Sequence, residues 1–317
     1  MVRGGESVLF VDQDVAHVRA INERGLTIRG FAETFTVTAE ATTPDAQPDS
    51  HEAVLLAVKA PATEDAVRSF AGSLADDSYV VSLQNGLNEP AISRIIGEQR
   101  TIGAFINFSA DYLEPGLIHF AGPGTFVIGE LDGSISPRLR ALQHALRHWG
   151  RVDVTDNIWG YLWGKQAYGA MLFATALTND SMADAIDAHR ALMVALANEV
   201  LRVAAALGKT PLGFDAFEPE AIRAPDERTR DASLDRLVAV RRRDEKTRSG
   251  VWRDMAVRKR RTEVDAHFQP VVHYAEELGL EVPLLRGVIA MIHEIESGRR
   301  AFAAANLDEL AAAVSSS

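Results

Sequence analysis

The sequence predicts a mostly parallel α/β sheet domain followed by an all-helical domain, and three observations predict it. Short apolar runs alternate with amphipathic stretches through the first half of the chain. From residue 157 onward the apolar positions recur at helical spacing and no convincing strand appears. The 317 residues suffice for two domains of ordinary size, placed at 1–155 and 156–317 with a boundary near 153–158.

Taken in order, residues 8–11 form an apolar run closed by Asp12, which reads as a buried parallel strand. Residues 16–24 suit a helix stopped by Gly25. Residues 26–28 and 33–40 are rich in β-branched side chains and predict two short strands; 42–50 is a polar loop. Strands are expected at 53–58 and 79–83, with helices at 63–74 and 88–96. The second of these strands ends in Gln84-Asn85-Gly86, a strong turn signal. A further apolar run spans 101–108, and 116–130 gives two strands about a Gly-Pro-Gly turn. A serine cap and Pro137 open a helix over 136–149, and 152–154 is a short strand or an extended linker.

The second half predicts a long helix over 161–188 and others at 191–207, 232–240, 252–275 (bent at Pro270), 283–297 and 306–313. Residues 214–230 read as loop or short helix, and the tail at 315–317 should fray.

Composition narrows the function classes. A 47% hydrophobic and 24% charged content is that of a soluble globular protein. The absence of cysteine excludes disulfides and thiolate chemistry. A net charge of −11 argues against nucleic acid as a partner. The N-terminal apolar run is too short for a signal peptide, and charges interrupt every apolar stretch before a membrane span is reached, so a cytoplasmic protein without membrane association is expected. His273 and His293 lack any metal-binding motif around them, and no metal is expected. The basic runs at 241–243 and 258–261 lie among Asp244, Glu245, Asp254 and Glu263, which suits a solvated helix face or anchoring of an anionic substrate.

Two residues carry a chemical signal of their own. Lys165 lies in a run where Leu162, Trp163, Tyr168, Met171, Leu172 and Ala176 recur at roughly helical spacing. A charged amine there is costly unless paired or functional, or unless it snorkels to solvent. Asp12 closes a strand, where an acidic residue can accept both ribose hydroxyls of adenosine and repel a 2′-phosphate, favouring NAD over NADP. The alternative for Asp12 is an ordinary helix cap. A G-x-G-x-x-G fingerprint is expected about 20 residues before such an acid, whereas only 11 residues precede Asp12. The first, glycine-rich βα unit of a dinucleotide fold is therefore expected to be missing.

The segments VLLAVKA (54–60), SLQNGLNEP (82–90), GLIHFAGPGTFVIGELDG (116–133), LWGK (162–165) and RRTEVDA (260–266) resemble the ketopantoate reductase, or 2-dehydropantoate 2-reductase, family from about residue 7 to residue 296. The resemblance implies a Rossmann-type domain, here incomplete, followed by a helical domain, with the active site in the cleft between them. It implies reduction of a 2-oxo acid to the 2-hydroxy acid with NAD or NADP, and a possible homodimer formed through the helical domain. The family's catalytic lysine matches Lys165 and its paired glutamate matches Glu263. The asparagine of its Asn-Gly turn matches Asn85, and the lysine closing its third core strand matches Lys59, both toward the cofactor. On residues alone, Glu263 reads as a solvent-facing neighbour of the basic run, Asn85 as a turn residue and Lys59 as a helix-start or surface lysine. His119 stands where the family often has a histidine, with a structural role.

Departures from the family pattern are informative. Asparagines expected four and eight residues after the lysine are Gly169 and Phe173. The family serine twelve residues before the glutamate falls on Val251, or on Gly250 if Asp254 sets the alignment, and its 2′-phosphate arginine falls on Gln13. These losses imply a more apolar pocket and a 2-oxo acid other than ketopantoate, or a bulkier carbonyl substrate. The alternative is a non-catalytic or truncated relative that does not bind dinucleotide and acts, if at all, as a structural or interaction protein.

Overall fold

The computed structural model describes residues 1–122, 124–244 and 246–314. Pro123 of the Gly-Pro-Gly turn, Glu245 of the basic and acidic run and the tail at 315–317 lie outside the described residues. The chain divides into two compact units, Met1–Val58 with Ala62–Ile158, and Lys59–Pro61 with Trp159–Ser317.

The first unit contains β1 (Leu9–Val11), α1 (Val15–Arg24), β2 (Leu26–Arg29), β3 (Thr34–Val37), β4 (Glu40–Thr42), β5 (His51–Leu56), α2 (Thr63–Phe70), β6 (Leu74–Ser82), α3 (Glu89–Ile96), β7 (Thr101–Asn107), β8 (Ala110–Glu114), β9 (Leu117–Phe120), β10 (Thr125–Glu130), α4 (Pro137–Ala145) and β11 (Asp153–Val154). Its strands hydrogen-bond in three groups: β1-β4, β11-β10-β7-β6-β5 and β3-β2-β9-β8. The five-stranded sheet is parallel at β5–β6, β6–β7 and β10–β11, and antiparallel at β7–β10.

Period-two alternation puts helices on both faces of this sheet. On β6, Val80 packs with Leu56, Val67, Phe70 and Ile92, toward α2 and α3. The next residue, Val81, packs with Ile102, Ile128, Leu139 and Val152, toward α4. β8 has no counterpart in the sequence reading, because only Leu113 and Tyr112 give it apolar character and both are exposed. The N-terminal strand is paired on one side: Leu9, Phe10 and Val11 run parallel to Glu40, Ala41 and Thr42, and Met1 packs on the core of the five-stranded sheet. The first residues are thus built into the unit.

The second unit is helical: α5 (Ile158–Thr175, from Trp159 on), α6 (Met182–Ala188), α7 (Arg190–Ala206), α8 (Pro219–Ile222), α9 (Glu227–Arg241), α10 (Gly250–Ala256), α11 (Val264–Glu277), α12 (Pro283–Glu296) and α13 (Ala305–Val314). Among the described residues, none of the helices is long and apolar enough to cross a membrane.

Two predicted helices are each divided. The run over 161–188 breaks after Thr175, where the Leu177 carbonyl accepts from Ala303 N and Asn306 Nδ2. Ser181 then caps α6 by accepting from Asp184 N. The run over 252–275 breaks at 257–263, where Lys259 adopts a left-handed φ of 51° and Arg260 N returns to the Asp254 carbonyl. A side-chain cap outcompetes continued helix at the first break, and a backbone turn does so at the second. Pro270 leaves α11 continuous.

The start of α12 depends on a buried carboxylate. Val282 provides no side-chain cap and Pro283 has no N–H to cap. Glu199 of α7, 4% exposed, instead accepts from Leu284 N at 3.0 Å and Leu285 N at 2.8 Å. Burial pushes the Glu199 carboxyl up, and the two N–H donors only partly offset that. Replacing Glu199 by Ala orphans two buried amides and is expected to destabilise the protein by about 2–4 kcal/mol in urea unfolding, with Glu199→Gln losing less. Equal losses for both variants would remove the capping role.

Candidate active site

α5 is buried around most of its circumference. Leu162, Trp163, Ala167, Ala170, Met171 and Ala174 are all at or below 2% exposure. The partly open positions Tyr161, Lys165, Gly169 and Leu172 follow at helical spacing and form one narrow stripe. Lys165 is thus neither fully exposed nor fully buried. It stands half-buried on the open line of an otherwise enclosed helix.

The neighbouring face of α11 supplies aromatic rings. Phe173, two turns after Lys165, packs edge-on against Phe268 with centroids 4.9 Å apart and lies 5.0 Å from the His267 ring. Burial pushes the His267 imidazole down to about 3, and the Lys165 charge pushes it the same way. His267 is thus neutral at any working pH. It lies one helical turn after Glu263, the residue preceding α11, and its N–H donates to the Glu263 carbonyl.

Glu263 is fixed through its side chain as well. Its Oε1 accepts from Ala60 N at 3.0 Å, and its Oε2 lies 3.3 Å from Lys59 Nζ. Lys59 also pairs with Asp254 at 3.5 Å. Lys59–Pro61 and Asp254 belong to the same compact unit, so this is one local cluster. Asp254, 7% exposed, additionally binds Arg258 at 2.7 Å and Arg260 at 2.8 Å. Burial alone would raise its carboxyl, but Arg258, Arg260 and the Lys59 charge outweigh burial and hold it below the usual range.

In the first unit, Asp12 follows β1 but does not cap α1. Its Oδ1 accepts from Asp14 N at 2.8 Å, and Asp14 is the cap, accepting from Ala16 N and His17 N. Asn85 is exposed in the turn after β6, where Gly86 takes a φ of 104°. A buried network holds that turn: Gln84 Nε2 donates to the Val58 carbonyl and to Thr63 Oγ1, Thr63 bonds Asn88, and Asn88 Nδ2 donates to the Asn85 carbonyl.

Of the residues singled out from sequence, Lys59 and Glu263 are in direct contact, Lys165 lies in the same unit, and Asp12 and Asn85 belong to the other unit. Sequence reasoning passed over His267 and Asn88, and gave Asp254 and Gln84 no part in a site. His267 had a signal, a polar residue one helical turn beyond Glu263. Asp254 stood as an acid before a basic run. His119 sits on β9 opposite Arg29 and Asp111. His273 and His293 pair with Glu277 and with Asp265 and Glu296. Among the described residues no group of side chains has the makings of a metal site.

Comparison with known proteins agrees with this architecture. Residues 1–133 match the model of ketopantoate reductase PanE/ApbA, and residues 155–296 match the model of its C-terminal domain. The expectation that the glycine-rich first βα unit is missing is overturned by the first match: the N-terminal domain is present from residue 1, in accord with the paired β1 and the packed Met1. The chain is 28% identical over 298 residues to a 2-dehydropantoate 2-reductase of Pyrococcus horikoshii, covering 92% of this chain and 91% of that one. It is 26% identical over 255 residues to the enzyme of Archaeoglobus fulgidus, covering 80% and 79%. The crystal structure of a PanE/ApbA family ketopantoate reductase from Ralstonia eutropha superposes with a TM-score of 0.76 at 25% identity, covering 94% and 93%. D-mandelate dehydrogenase with NADH and anilino(oxo)acetate shares the fold with a TM-score of 0.77 at 19% identity over 94% and 93% of the two chains.

The buried neutral His267 has a consequence for acid stability. Its folded value lies below its unfolded one, so its contribution is present above about 6.5 and is lost as pH falls toward about 3, by on the order of 4–5 kcal/mol in the limit. His267→Phe should flatten the fall in urea midpoint between pH 6.5 and 4.5. An unchanged slope would show that the ring is not held neutral.

Proposed function

We propose that this chain, which belongs to the ketopantoate reductase family, reduces the carbonyl of a 2-oxo acid to a hydroxyl with a nicotinamide cofactor. The observation that carries the reading is Lys165, half-buried on the open stripe of α5 beside a neutral imidazole. Hydride addition to a ketone builds negative charge on its oxygen. An ammonium group in apolar surroundings stabilises that charge and donates the proton the product alcohol needs. His267, held neutral, adds no second positive charge to compete for that oxygen.

Glu263 supplies the carboxylate that steadies the ammonium or accepts from a substrate hydroxyl. Its anchorage by Ala60 N–H and Lys59 supports this, because a tethered carboxylate loses little freedom on engaging a ligand.

Asp12, Lys59 and Asn85 are the candidates for holding the cofactor. In the first unit Asp12 follows β1 and Asn85 follows β6, each parallel-paired, and ligands of open α/β sheets bind beyond the carboxyl ends of such strands; Lys59 is the candidate of the second unit. Each has chemistry a dinucleotide can use: Asp12 is a half-exposed carboxylate for ribose hydroxyls, Asn85 an amide in an exposed turn, and Lys59 a lysine with half its side chain open to solvent. When bound, the nicotinamide supplies the hydride. The Asp12 carboxylate repels a 2′-phosphate, so the reading favours NADH over NADPH.

Steady-state reduction of a panel of 2-oxo acids tests this. Lys165→Ala is expected to lower kcat at least about tenfold, as for a lost general acid; unchanged turnover removes the amine from the mechanism. NADH should bind more tightly than NADPH in fluorescence titration, and Asp12→Ser should narrow the difference. Tighter NADPH binding by the parent would refute the role given to Asp12.

A further inference from the structure

Three mid-helix glycines can be compared by what a methyl group on each would meet. At Gly164 a Cβ would lie 2.2 Å from the Leu212 carbonyl oxygen, and at Gly287 it would lie 2.7 Å from Leu310 Cδ2. Close packing accounts for both. At Gly169 the nearest atom is Phe268 Cζ at 3.8 Å, an ordinary contact, and the backbone is not in the left-handed region that favours glycine. Glycine weakens a helix interior relative to alanine. Among the described residues nothing requires it at this position.

Place and direction matter here. Gly169 lies one turn after Lys165 on the same half-open stripe. Helical side chains lean back toward the N-terminus, so a side chain at 169 would lie over the turn that carries Lys165. Its absence bares the helix backbone beside the stem of the amine. The borders of this bare patch are carbon: Leu172 on the stripe, the Phe268 ring tip, and Phe173 packed behind it, 5% exposed. The His267 ring against Phe173 is neutral.

We infer that Gly169 is the floor on which the substrate's acyl side chain rests, and that this side chain is bulky and apolar, of the aryl or branched-alkyl class, carried on a 2-oxo acid. The inference builds on the reductase reading of Lys165. With the carbonyl oxygen at the amine, the group attached to the carbonyl carbon falls over the bare turn. Phe173 and Gly169 offer it no hydrogen bond, so a hydroxylated side chain such as that of ketopantoate would be desolvated without compensation.

The experiment compares kcat/KM for phenylglyoxylate, 4-methyl-2-oxopentanoate, ketopantoate and pyruvate in the parent, Gly169→Ala, Gly169→Leu and Gly169→Asn. The parent should prefer the two bulky apolar acids over ketopantoate and over pyruvate by at least about tenfold. Gly169→Leu should lower kcat/KM for the bulky acids at least about tenfold more than for pyruvate. Gly169→Asn should shift the ratio toward ketopantoate. Gly169→Ala controls for folding, since its Cβ fits, and its melting temperature should equal or exceed the parent's. A parent that favours ketopantoate, or a Gly169→Leu variant that loses activity equally on all acids, overturns the inference and leaves the reductase reading standing. A parent that reduces none of the acids with either nicotinamide overturns both.

Discussion

A lysine amine held on the half-open stripe of an otherwise buried helix is the constraint from which the arrangement of the second unit follows. Full burial would impose a large desolvation cost and drive the amine neutral, and full exposure would let water screen its charge. The residues at or below 2% exposure around α5 confine Lys165 to one line. Along that line the neighbours are a glycine and carbon-rich side chains. The nearby imidazole is kept neutral by burial.

Two carboxylates, Asp254 and Glu263, stand at the break before α11 and share Lys59. Had residues 252–275 formed one helix, Glu263 would be mid-helix. The break instead leaves it ahead of the first turn of α11, where its side chain accepts from Ala60 N and meets Lys59. Asp254 makes the break affordable in electrostatic terms. One buried carboxylate gathers Lys59, Arg258 and Arg260, and Arg260 N returns to its carbonyl. Removing one partner of such a cluster leaves others uncompensated, which is why it acts as a unit.

The first unit follows a different logic. Alternating side chains on β6 feed two separate helix-covered cores, and the strand ends carry the polar turns. The Gln84–Thr63–Asn88 network fixes the Asn85-Gly86 turn by bonds to the Val58 and Asn85 carbonyls. Such buried amide networks specify one backbone path, because each unsatisfied member would be costly. Asn85 itself remains exposed at the end of that scaffold.

Periodicity in the sequence determined most of the order of strands and helices (though not β8), the helical character of the chain after residue 157 and, with the ordered motifs, the family. Those signals are local: they repeat every two or every 3.6 residues and need no distant partner. Tertiary structure decided the rest. It divided 161–188 and 252–275, because Leu177 and Asp254 find capping partners that helical spacing does not show. It made Asp14 rather than Asp12 the cap of α1. It joined Lys59 to Asp254 across 195 positions and Ala60 to Glu263 across 203. It also left Gly169 with room and Gly164 with none. Contacts between residues so far apart depend on how whole helices pack, and no window of sequence contains both partners.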